Sequence, residues 1–69
     1  MKDKGLRKVI EELGSLARLA EAINITKQAV SQWQRVPIDR VLEVEKVSGV
    51  SRHELRPDFY PIDTLFENH

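Results

Sequence analysis

The sequence predicts an all-α fold, a compact bundle of four to five short helices around one core. Three observations predict it. Apolar residues recur at three- and four-residue spacing along most of the chain. Each periodic run is bracketed by a capping or breaking residue. No run of alternating β-branched residues would make a strand.

Leu6, Val9, Ile10 and Leu13 form the first apolar stripe, and Gly14 stops that helix. Ser15 is a good N-cap for a second helix, whose apolar face is Leu16, Leu19, Ala20 and Ile23. Asn24 follows, a residue that tolerates positive φ. Thr26 caps a third helix expected to run to about Arg35. Val36-Pro37 breaks the chain, with Pro37 placed in the first turn of a fourth helix and Asp39 near its positive end. Val41, Leu42, Val44 and Val47 are expected to fill that helix, and Gly49 to end it. Ser51 with Glu54 reads as a capping box opening a short fifth helix, which Pro57 stops.

The closing segment is PDFYPIDTLFENH, with Pro57, Pro61 and five sizeable apolar side chains. It is too apolar for a plain disordered tail, and residues 62–67 suit a short helix. Residues 1–57 are read as the helical domain and 58–69 as an apolar tail.

At 69 residues the chain is one domain. A chain near this size buries only roughly 60% of its unfolded surface. Cysteine is absent, so disulfides and thiolate metal sites play no part, which suits the cytoplasm. No apolar run approaches the roughly 18–20 residues of a membrane span, and the opening MKDKGLRK lacks the apolar region of a signal peptide.

Formal net charge is zero but polarised. Residues 1–40 carry eight basic and five acidic side chains; residues 41–69 carry three and six. Between Glu21 and Asp39 there is no acid. A local basic face matters more for phosphate attraction than total charge.

Residues 16–35, LARLAEAINITKQAVSQWQR, fall in that window. Two helices crossing steeply over a short turn need a small residue at their contact, a turn residue that accepts positive φ, and an apolar anchor on the second helix. Ala20, Asn24 and Val30 meet these demands, with Trp33 one turn after Val30. The spacing resembles the helix-turn-helix of phage Cro and CI repressors and the wider lambda-repressor-like group. The run AVSQWQRVPIDRVLEVEKVSGVSRHELRPDFYP, residues 29–61, resembles the YdaS-type prophage regulators. Shared features are a VSQW-like reading helix, a V-P break, a helix ending E-x-x-S/T-G and a terminal L-R-P-D. The resemblance implies a DNA-binding prophage regulator; members of that group have also been called antitoxins. Two positions depart from the pattern. Leu16 stands where many members have Gln, which passes the backbone contact to Ser15 or Arg18, and Asn24 stands where the turn is usually Gly.

With Val30 and Trp33 toward the core, Lys27, Gln28, Ser31, Gln32 and Arg35 face outward. Gln28, in the first turn, suits bidentate pairing with adenine. Lys27 suits guanine or phosphate, and Ser31 and Gln32 are further base-edge candidates. Ser15, Arg18, Thr26, Arg35 and Arg40 are the candidate phosphate contacts, which position without specifying sequence. Lys2, Lys4, Arg7 and Lys8 cluster near the start of the first helix, facing either flanking phosphates or solvent.

His53 and His69 have no partner at metal-ligand spacing, the serines have no triad, and there is no glycine-rich phosphate loop. Neither an enzyme nor a metal or other cofactor is expected. The expectation is a cytoplasmic Cro-like repressor, bacterial or phage-encoded, binding a near-palindromic double-stranded DNA operator as a homodimer. Phe59, Tyr60, Ile62, Leu65 and Phe66 are the candidate dimer surface, or else the tail covers its own core. The rival readings are an antitoxin bound to a partner toxin and an interaction module that keeps only the helix-turn-helix shape. No membrane partner is expected.

Overall fold

The computed structural model describes residues 2–61. It contains five α-helices: α1 Lys4–Leu13, α2 Leu16–Ala22, α3 Lys27–Ser31, α4 Val41–Ser48 and α5 Arg52–Leu55. A single 3-10 turn, Ile38–Arg40, precedes α4. Among the described residues there is no strand. The helix suggested for residues 62–67 lies outside the described residues, as do Ile62, Leu65 and Phe66 of the candidate dimer surface.

Local chemistry sets the helix ends. Asp3 caps α1 by accepting from the Leu6 amide at 2.9 Å, a signal readable as an acid ahead of an apolar run. Gly14 ends α1 with φ 105°. Ser15 Oγ accepts from the Arg18 amide at 3.1 Å and Thr26 Oγ1 from the Ala29 amide at 3.1 Å, as their positions require. Gly49 closes α4 at φ 78°.

The core is aliphatic. Leu6, Val9, Leu19, Val30, Val36, Val41, Val44 and Leu55 are wholly buried, with Ala20, Ile23 and Val50 nearly so. Each buried Leu or Val removes enough apolar surface to contribute about 1.5–3 kcal/mol. α1 is the central packing element, touching α2, α4 and α5, while α2 packs on α3. The α1–α5 contact is close because residue 5 is glycine. A Cβ there would stand 2.5 Å from the Glu54 carbonyl oxygen.

Three expectations are corrected. The third helix ends at Ser31, four residues short of Arg35. The amides of Gln32 and Trp33 turn to Ala29 O and Val30 O at 3.3 and 3.0 Å, tightening and closing the helix. Trp33 therefore meets the core from beyond the helix, half-buried. Pro37 does not sit inside the fourth helix; its extended ψ of 147° puts it ahead of the 3-10 turn. Leu42 and Val47 lie on the fourth helix as expected, where they are 52% and 36% exposed. The buried stripe of α4 runs through Val41 and Val44, and the helical period swings the other two off that face. Finally, the reciprocal capping box at Ser51 does not form. Ser51 Oγ accepts from the His53 amide at 3.2 Å, while the Glu54 carboxylate pairs with Lys8 at 3.1 Å. The Arg52 amide is taken instead by Glu45 Oε2 at 2.9 Å.

Candidate nucleic-acid interface

The α2–turn–α3 unit is built from three local choices. Asn24 takes φ 58°, the only non-glycine residue described with positive φ. That turn lets the Ile25 amide donate to Ala20 O at 2.9 Å, closing the end of α2. Ala20, 3% exposed, is the small residue at the α2–α3 contact, and fully buried Val30 anchors α3 from the other side.

With Val30 inward, Lys27, Gln28, Ser31 and Gln32 are all exposed. Lys27, Gln28 and Gln32 make no side-chain hydrogen bond to any other described residue, so their polar ends are presented to solvent. Ser31 differs: its hydroxyl donates to Gln28 O at 3.0 Å. The donor is thereby occupied and the lone pairs remain, so in this geometry Ser31 offers an acceptor. Ser15 and Thr26 are in the opposite condition. Each accepts an amide in capping, which leaves its O–H proton available to an outside acceptor.

The candidate phosphate arginines are not equivalent. Arg18 is exposed, lies beside Gly14 and forms no ion pair with a described residue. Arg35 sits in the bend after α3, 57% exposed and 3.7 Å from the Asp58 carboxylate. Arg40 is engaged: Nη1 is 2.8 Å from Glu43 Oε1, and that hydrogen bond raises the guanidinium pKa further. The structure thus brings Lys27, Gln28 and Ser31 together on α3, with Gln32 at its C-cap. Arg35 and Arg40 are each beside an acid.

Two polar groupings behind this surface escaped the sequence reading. Arg56, only 13% exposed, donates to Val36 O at 3.2 Å and holds Asp58 with two further bonds. Asp58 is pulled from 3.8 to about 2, chiefly by the Arg56 hydrogen bond, with a smaller contribution from the Arg35 charge. The terminal L-R-P-D run thereby ties the segment after α3 to the segment after α5. The second grouping is Glu45 with Arg52. Glu45 accepts from the Arg52 amide and guanidinium, and its pKa is lowered first by the backbone bond.

The amino-terminal cluster also divides. The Lys2 ammonium is bound to backbone carbonyls at the end of α3. Lys8 is paired with Glu54, and Lys4 and Arg7 are exposed on α1. Lys4 and Lys8, with Gly5, His53, Glu54 and Pro57, line a shallow concavity of about 270 Å³ between α1 and α5. Within it the ring of His53 is fixed, Nδ1 lying 2.8 Å from Tyr60 O. Phe59 is 56% exposed, whereas Tyr60 packs against the core and meets Phe59 edge to face at 5.0 Å.

No helix among the described residues is long and apolar enough to cross a membrane. A family model described as "Bacterial toxin YdaS" matches residues 6–63. No curated protein and no solved structure gives a match.

Proposed function

The chain belongs to the YdaS family, and we propose that it is a sequence-specific double-stranded-DNA-binding regulator, a Cro-like prophage repressor. The observation that carries this reading is α3. Three exposed polar side chains, Lys27 and Gln28 on the helix and Gln32 at its C-cap, are unengaged, and buried Val30 holds the helix to the body. It lies within a stretch free of acids from Asn24 to Ile38.

α3 enters the major groove with its first turn foremost. Gln28 takes an adenine through N6 and N7, and Lys27 takes guanine or the adjoining phosphate. Ser31 and Gln32 meet base edges one turn later. Around this contact Ser15 and Thr26 donate hydroxyl protons to phosphate oxygens, and Arg18, Arg35 and Arg40 add charge. A phosphate would compete with Asp58 for Arg35 and with Glu43 for Arg40.

One short helix covers only a few base pairs, so the protein acts as a two-fold dimer on a near-palindrome. Its reading helices are about 34 Å apart. Phe59, with Tyr60, Ile62, Leu65 and Phe66, is the candidate contact between copies. The dimer works in the cytoplasm by occupying a promoter. The test is selection from random duplexes followed by salt titration. A recovered palindrome and a log–log salt slope of several units support the reading; absence of duplex binding at low salt refutes it.

The family description favours one further reading, in which the chain is a member of a toxin–antitoxin pair. As an antitoxin it binds a partner toxin through its acidic second half or its tail while repressing its own operon. Pull-down against proteins encoded beside it distinguishes this case.

A further inference from the structure

The cation that closes α3 comes from the far end of the domain. Lys2 Nζ lies 2.6 Å from Trp33 O, 3.0 Å from Ser31 O and 3.4 Å from Val30 O. Three ammonium protons meet three carbonyl acceptors, so the donor set is filled. The neighbouring Asp3 amide donates to Gln34 O at 2.7 Å, fixing the same approach. The last carbonyls of a helix lack partners within it and form the negative end of its dipole. A five-residue helix is too short to persist on its own hydrogen bonds and depends on what surrounds it.

We propose that Lys2 is a positioning residue for α3: it fixes where the helix stops and how Gln28 and Gln32 are presented, without itself touching the duplex. The inference rests on the DNA-reading role proposed above. Lys2 thereby parts company with Lys4 and Arg7, whose exposed charges leave them open to phosphate. Because its ammonium is already coordinated by backbone, substituting it perturbs the shape of the reading surface rather than the count of phosphate contacts.

The test compares Lys2→Met and Lys2→Arg with the wild-type chain by amide hydrogen exchange. A salt titration on a duplex selected by the wild type accompanies it. In Lys2→Met the Gln32 and Trp33 amides exchange about tenfold faster, as loss of one charge-assisted cap implies. The Ile23 and Gly49 amides, at the C-caps of α2 and α4, are unchanged, and Lys2→Arg restores the slow exchange. Affinity for the selected duplex falls about tenfold with the same salt slope. A slope lowered by about 0.9 with unchanged exchange marks Lys2 as a phosphate contact and overturns the proposal. Equal acceleration at all four amides marks a general stability effect and also overturns it. If the wild type selects no duplex, the DNA reading fails while the exchange result still decides whether Lys2 closes α3.

Discussion

Arg56 grips Asp58 with one edge of its guanidinium, Nε 3.0 Å from Oδ1 and Nη2 2.8 Å from Oδ2. The remaining nitrogen, Nη1, reaches Val36 O. One side chain thus joins the loop after α3 to the turn after α5.

This pair makes stability acid-sensitive in a defined window. The Asp58 carboxyl is lowered from 3.8 to about 2 on folding. Its contribution is present in full above the unfolded value and is lost as pH falls through the folded one. Asp58→Asn is expected to melt below the wild type at pH 6, with the gap closing as pH drops from 4 to 2. Thermal melts across that range check it; a gap of constant size contradicts the assignment.

Gly5→Ala is expected to destabilise the fold although alanine is the better helix former. The propensity gain is at most about 1 kcal/mol. The new methyl would stand 2.5 Å from Glu54 O and 3.0 Å from Leu55 Cα, both backbone atoms that cannot simply rotate away. Forcing α1 and α5 apart costs about 1–3 kcal/mol or more, so the clash outweighs the gain. Urea unfolding measures it, and a variant as stable as the wild type refutes the close-approach account.

Gln28→Ala should leave the melting temperature nearly unchanged, since the side chain is exposed and bonded to no described residue. On DNA it should lose about 1–3 kcal/mol and relax preference at one base pair per half-site. Repeating the duplex selection with the variant reads this directly; a uniform loss at every position would reassign Gln28 to the backbone.

Arg35→Ala should weaken all duplexes alike and lower the salt slope by about 0.9. Both Arg35 and Asp58 are more than half exposed at 3.7 Å. Their pairing therefore adds little to stability, within about 1 kcal/mol. Salt titration on matched and mismatched duplexes checks it, and loss confined to the matched site would mark a base contact.

Features governed by near neighbours in sequence were legible. Ser15, Thr26, Gly14, Gly49 and Asn24 each act on residues within four positions, and each was placed correctly from residue type. The outward face of α3 followed from Val30 and Trp33. Long-range chemistry was not legible. The end of α3 depends on Lys2, 28 to 31 positions away, and no local pattern announces such a bond. Glu54 satisfied a capping motif on paper yet pairs with Lys8, 46 positions distant. Which face of the fourth helix turns inward was not legible for a different reason. The fourth helix is rich in apolar residues all round, so hydrophobicity could not say which stripe faces inward until α1 and α5 were packed against it.

The brevity of α3 carries a last consequence. Five residues rise about 7.5 Å, some two base steps. Lys27 and Gln28 on that short rod and Gln32 at its C-cap are held by no described neighbour, while buried Val30, the Thr26 cap and the Lys2 ammonium secure it. On the proposed reading, folding and recognition answer to separate letters of the sequence, and exchange of those three exposed side chains would redirect the molecule while the buried core stays as it is.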